Sequence, residues 1–223
     1  MKLTKYTHAC VRLEKDGNVL VIDPGIYSES KEALEGAQAV LVTHEHPDHI
    51  DQAVLLEALT MNERLVVHAP EGVARTLTKA AAEAAVDAVE ERIRAVDPGS
   101  AVDIAGFDVK TFGGQHALIH GQIPVVANIG YLIDGNVFHP GDSFVVPDGI
   151  QVKTLLVPIH APWSKVGEVV DFVISVRAPQ AYPVHDGLLN EVGRGLVEGH
   201  VTRFGARYGT TYSSLAPRQT VEI

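Results

Sequence analysis

The chain has one cysteine, Cys10, one tryptophan, Trp163, and two methionines in 223 residues. A single cysteine excludes an internal disulfide and fits a reducing compartment; Cys10 reads as a small buried residue, not a nucleophile. No apolar stretch approaches the ~20 residues needed to span a bilayer. The opening Met1-Lys2-Leu3-Thr4-Lys5 has no apolar signal core. A protein without a membrane span, located in the cytoplasm, is therefore expected. Basic runs are absent too: 18 Lys and Arg stand against 28 Asp and Glu, a formal charge of −10. A protein that grips a phosphate backbone normally shows a basic surface, so nucleic acid is not expected as a partner. Bound dications would offset part of the negative charge locally.

Linkers, low-complexity segments and fixed-period repeats are lacking as well. With 46% apolar residues the chain can bury one sizeable core, and residues 1–223 are expected to form one domain. Period-two and short apolar runs predict strands over 2–6, 9–14, 18–23, 39–43, 64–68, 92–96, 107–112, 126–133, 136–139, 153–158 and 180–184. Asp16-Gly17-Asn18 marks a hairpin. Helical periodicity predicts helices over 30–36, 50–60, 71–84, 165–177 and 190–204. The alanines between Val73 and Val89 favour helix but carry little bulk, as in a surface helix. Strands first, then mixed strands and helices, point to two sheets face to face with helices outside.

What the chain has in abundance is concentrated in one place. Residues 43–49 read Thr-His-Glu-His-Pro-Asp-His, directly after the apolar run Ala39-Val40-Leu41-Val42. With 11 histidines in 223 residues, three within six positions beside an aspartate is far beyond chance clustering. Imidazole and carboxylate bind zinc and similar divalent metals. On an extended segment residues two apart face the same way, so His44 and His46 can share one ion. Pro47 then turns the chain and sends Asp48 and His49 elsewhere. The spacing suggests two adjacent metals, each completed from distant segments.

His-x-His-x-Asp-His at the end of an apolar strand resembles the signature of the metallo-β-lactamase superfamily of metallohydrolases. Asp23-Pro24-Gly25 is similar to its first motif, an Asp that braces the metal loop without binding metal, and the resemblance runs from residue 2 to about 204. It implies an α/β fold, the four-layer αββα sandwich. It also implies three further ligands at strand ends: His116 after Gly113-Gly114, Asp142 in His139-Pro140-Gly141-Asp142-Ser143, and His185 after Ala181-Tyr182-Pro183-Val184. In this ligand set His44, His46 and His116 hold one ion, Asp48, His49 and His185 the other, and Asp142 bridges them. The implied cofactors are two divalent ions per chain, zinc first, with manganese or iron as substitutes. A hydroxide shared by the two ions would then attack a carbonyl or phosphoryl centre, with Asp48 handling the proton.

The Lys2–Gly25 opening, Gly113-Gly114-Gln115-His116 and Pro183-Val184-His185-Asp186-Gly187 resemble the ascorbate-6-phosphate lactonase-like branch. The implied substrate is a small ester, lactone or phosphoester. Two other classes compete. One is an iron-containing redox protein, against which His46 stands where the superfamily's di-iron flavoproteins carry Glu. The other is a non-catalytic metal-stabilised binding module. His8, His120, His160 and Trp163 are candidates for the pocket wall, whereas His68, His139 and His200 read as structural or surface residues. A homodimer is the default assembly.

Overall fold

The computed structural model describes residues 1–86 and 88–223, with residues 89 and 90 described in backbone only. The first sheet is built from β1 (Lys2–Lys5), β2 (Val11–Lys15), β3 (Asn18–Ile22), β4 (Ala39–Leu41), β5 (Val66–Ala69) and β6 (Ile93–Ala95). The second contains β7 (Ala101–Ile104), β8 (Phe107–Gly113), β9 (Ile129–Ile133), β10 (Val137–His139), β11 (Thr154–Pro158), β12 (Gln180–Val184) and β13 (Thr211–Tyr212). The last strand, β14 (Thr220–Glu222), returns to the first sheet beside β1, giving the orders β14-β1-β2-β3-β4-β5-β6 and β13-β12-β11-β10-β9-β8-β7. Both sheets are mixed: β1 to β3 run antiparallel and β3 to β6 parallel, while β7 to β10 run antiparallel and β10 to β13 parallel.

Among the described residues six α-helices flank them: α1 (Ser30–Ala33), α2 (Gln52–Met61), α3 (Glu71–Glu83), α4 (Val89–Arg92), α5 (Val166–Val176) and α6 (Glu191–Gly205). The layering follows from side-chain alternation along the strands. In β3, Leu20 and Ile22 face the second sheet and pack with Phe107, Tyr131 and Leu156. Val19 and Val21 face outward and pack with Leu55 and Leu59 of α2 and Leu77 of α3. On the far side Leu155 and Val157 meet Val169, Phe172 and Val173 of α5 and Val201 of α6. Strands β3 and β4, covered on both faces, read as nearly continuous apolar runs for that reason. The result is the helix–sheet–sheet–helix order that the resemblance implied.

Differences from the sequence reading lie at edges and at the site. Strands β7, β13 and β14 were not expected; their residues are largely exposed or number only two, so they carry little apolar periodicity. The strand expected over 126–133 begins only at Ile129, although the Asn128 backbone still pairs with Gly114 and the His116 N–H still reaches the Val126 carbonyl; the Asn128 side chain meanwhile bonds the segment carrying Asp142. Helix α2 starts at Gln52, after Asp51 accepts the Val54 N–H as N-cap at 3.1 Å. Helix α3 buries Val73, Ala74, Leu77 and Ala81 on one face and leaves the other in solvent, as a surface helix does. Of the alanine-rich segment 73–89, residue 87 lies outside the described residues. Among the described residues no helix is long and apolar enough to cross a membrane.

Arg92 ties the outer layer to the first sheet. Its buried guanidinium donates to the carbonyls of Leu59 and Asn62, both at 2.6 Å, and of Leu65 at 3.1 Å, which serves the open carbonyl end of α2. Arg92→Leu leaves these buried acceptors unserved and should cost about 2–3 kcal/mol. Thermal melting should show a midpoint lower by about 4–12 °C; an unchanged midpoint would refute the anchoring role.

Candidate metal centre

Four chain segments deliver the site, each at the end of a strand. His44, His46, Asp48 and His49 follow β4, His116 follows β8, Asp142 follows β10 and His185 follows β12. In open α/β sheets this carboxyl edge is where ligands bind. The structure brings all seven sequence candidates together, in two adjoining groups. His44, His46, His116 and Asp142 form one, and Asp48, His49 and His185 join His8 in the other, with ligand atoms inside each group within 4.8 Å of one another. Asp142 reaches both groups. Its Oδ2 lies 3.3 Å from His116 Nε2 and 3.2 Å from His185 Nε2, and its Oδ1 lies 3.1 Å from His49 Nε2.

Hydrogen bonds behind the rings decide which nitrogen faces the site. His116 Nδ1 sits 2.6 Å from the Ala117 carbonyl, and His185 Nδ1 sits 2.6 Å from the His160 carbonyl. Each of these Nδ1 atoms must therefore donate, which leaves Nε2 as the inward lone pair. His49 Nδ1 donates likewise to Asp23 Oδ2 at 2.7 Å. Thr43 Oγ1 donates to Asp23 Oδ2 at 2.7 Å and so accepts from His44 Nδ1 at 3.0 Å, which again turns Nε2 inward. Nε2 of His49, His116 and His185 and Oδ1 of Asp142 are buried without any hydrogen-bond partner. Buried polar atoms are rarely left so, and four of them converging on one spot fit a cation that would satisfy them together.

The supporting segments are built to close tolerances. Asp23 is fully buried at a φ of +52° and also accepts the Thr43 backbone N–H at 2.7 Å, so one carboxylate holds the whole 43–49 loop. Gly25 must be glycine because a Cβ there would stand 1.9 Å from the Asp48 carbonyl oxygen. Asn128 accepts the Asp142 N–H at 2.9 Å and donates to the Pro140 carbonyl at 2.9 Å, fixing the segment that carries the Asp142 carboxylate.

Charge is distributed accordingly. Burial opposes ionisation of Asp142, but the His49 charge and the close ring nitrogens of His116, His185 and His49 hold its carboxyl well below the usual range. Asp48 is also lowered: burial again opposes, and the nearby His185 ring and the hydrogen bond with His8 prevail. Burial disfavours a charged His185, yet its contacts with Asp142 and Asp48 raise it to about 9. His44 falls well below the ordinary imidazole value through burial and the nearby His49 charge. Two carboxylates thus stay ionised and attract positive charge, and a bound cation would take the place of the ring protons there.

The remaining candidates separate clearly. Trp163 donates Nε1–H to Asp142 Oδ2 at 2.8 Å, and its half-buried indole lies 5.9 Å from the His116 ring, a wall of the site instead of a core plug. His160 supplies the carbonyl that orients His185. His120 is exposed, and its ring accepts the Gln122 N–H. His139 is buried behind the groups, bonding the Ala9 carbonyl at 2.9 Å and the Gly141 N–H at 3.1 Å; His68 is buried outside both, and His200 is exposed. His8, left open by the sequence, is completely buried at the second group. A lone histidine in the turn between two strands carries no spacing signal that could have singled it out.

Residues 2–185 match the model of the β-lactamase superfamily domain. The chain is 36% identical over 207 residues to a Mycobacterium tuberculosis protein, covering 91% of this chain and 92% of that one. It is 31% identical over 207 residues to a UPF0173 protein of Pyrococcus abyssi, covering 89% and 88%. A UPF0173 metal-dependent hydrolase of Xanthobacter autotrophicus is 29% identical over 178 residues, with 73% of this chain and 68% of that one covered. In fold it is similar to Igni18, a metallo hydrolase from Ignicoccus hospitalis, with a TM-score of 0.69, 18% identity and coverage of 99% and 97%. With its two mixed sheets flanked by helices, the chain belongs to the UPF0173 family of metal-dependent hydrolases within the metallo-β-lactamase superfamily.

Proposed function

We propose that the chain is a dinuclear hydrolase of small ester, lactone or phosphoester substrates. The observation that carries this reading is the convergence of three partnerless buried imidazole nitrogens on one partnerless carboxylate oxygen. His44, His46 and His116 would hold one ion and Asp48, His49 and His185 the other, with Asp142 reaching both. Two divalent ions supply Lewis acidity for the substrate oxygen and draw the pKa of a water molecule towards ~7. Imidazole with carboxylate suits zinc, and manganese or iron can use the same donors. The resemblance of residues 113–116 and 183–187 to the lactonase-like branch supports a lactone among the substrates.

The chain's own residues divide the remaining work. Within the 43–49 loop, His46 and Asp48 are only half-buried while His44 and His49 are inaccessible, so substrate approaches over His46 and Asp48. Asp48 is ionised and stands at this open side, where it can take a proton and pass it to the leaving group. Its low proton affinity suits brief carriage more than retention. Trp163 covers the opposite flank and keeps Asp142 oriented through its indole N–H.

Protein purified without chelator or added metal should contain close to two equivalents of zinc or manganese per chain by elemental analysis. Near zero, with no uptake on titration, would sink the proposal. Asp48→Asn should lower turnover of a lactone, ester or phosphodiester by about 10²- to 10³-fold while metal content falls much less; an unchanged rate would remove Asp48 from proton transfer. Gly25→Ala forces the Asp48 backbone aside, and elemental analysis should show at least one equivalent of metal lost; full occupancy would show that the loop tolerates the clash.

A further inference from the structure

Building on the two-ion reading, we infer that His8 is the positioning residue for Asp48, and that it does not itself bind the second ion. The alternative is real in geometric terms, since the His8 ring nitrogens belong to the same compact group as Asp48, His49 and His185. The hydrogen bonds decide between them. The Gly187 backbone N–H points at His8 Nδ1 at 3.2 Å, and a backbone N–H can only donate. Nδ1 is therefore the acceptor and the ring proton sits on Nε2. Nε2 lies 3.0 Å from Asp48 Oδ2, so it donates to that oxygen and has no lone pair left for a cation. The same Oδ2 lies 3.5 Å from His185 Nε2 and 3.9 Å from His49 Nε2, so His8 holds the carboxylate oxygen that faces the second group.

His8 is placed for this with unusual thoroughness. It takes the left-handed backbone conformation at φ +66°, tolerated by histidine more often than by most side chains. Its carbonyl accepts the His185 N–H at 2.9 Å, so the same residue touches both loops of the second group. The His8 and His185 rings lie 4.0 Å apart, and Tyr27 closes the other side at 5.3 Å. Directly after His185 the turn is pinned again: Asp186 binds Lys5 at 2.9 Å and Arg194 at 3.0 Å, with both Lys5 and Asp186 buried. Gly187 also leaves the ring its space, since a Cβ there would stand 3.1 Å from His8 Nδ1, a tight contact. The β1–β2 connection thus acts as a clamp that sets the Asp48 carboxylate relative to His185.

The test is a metal titration of the demetallated full chain with Zn2+ against a chromophoric chelator, which reads both binding steps without relying on turnover. Wild-type protein should bind two ions. His8→Ala should weaken one step by about 10- to 100-fold and leave the other within about threefold. His8→Gln, whose amide N–H can stand where Nε2–H stood, should restore the weakened step to within about threefold of wild type. His8→Met fills the volume without a donor and should behave as His8→Ala, so the Gln and Met pair decides the matter if the Ala variant does not fold. Equal losses in His8→Gln and His8→Met would make His8 a ligand or a mere filler and overturn the inference. Unchanged affinities in His8→Met would overturn it as well, while two ions in wild-type protein would leave the two-ion reading standing. No binding to the wild type would overturn both.

Discussion

The carboxylate of Asp23 is the constraint on which the centre depends. It is buried, and it accepts from the Thr43 backbone, the Thr43 hydroxyl and the His49 ring. A buried carboxylate needs such partners, because desolvating it without them costs several kcal/mol or more. The consequence passes outward through proton positions. Once the Thr43 hydroxyl has given its proton to Asp23, it can only accept from His44 Nδ1, and His49 Nδ1 is committed to Asp23 directly. One carboxylate therefore sets one histidine in each of the two groups, with both Nε2 lone pairs inward.

Ligand separation across the centre depends in turn on how the two sheets dock. The 43–49 loop belongs to the first sheet, whereas His116, Asp142 and His185 belong to the second. Two hydrogen bonds tie the sheets at this point: Tyr131 Oη donates to the Val42 carbonyl at 2.8 Å, and the Ile129 N–H to the Thr43 carbonyl at 2.9 Å. Tyr131 is completely buried within the inter-sheet core beside Leu41 and Phe107. Close packing of that core therefore sets distances between donors that are far apart in sequence.

Much of this was legible because it is local. The His44–His49 cluster sits on a single loop, and the apolar runs before it and before His185 belong to strands covered on both faces, whose composition shows it. The resemblance extended the reading to His116, Asp142 and Asp23. What escaped was non-local or weakly patterned. Edge strands β7, β13 and β14 bury too little to impose alternation. Asn128 keeps its backbone pairing with Gly114, and what the strand pattern could not express is the side chain's part in bonding the distant Asp142 segment. His8 meets Asp48 across 40 positions and Gly187 across 179, relations that no periodicity can express.

The same distinction separates the two halves of the centre. Donor atoms are held from behind by backbone carbonyls and buried side chains, so their orientation is a property of the folded core. Directly after His116 runs the segment from Ala117 to Ala127, outside any helix or strand, with Leu118, Ile123 and Val125 about half or more exposed. Exposed loops on a rigid scaffold are where specificity commonly resides, because they can change without disturbing the residues beneath. The chemistry of the centre is thus set by buried hydrogen bonds, while the shape of what reaches it is left to side chains that contribute little to the fold.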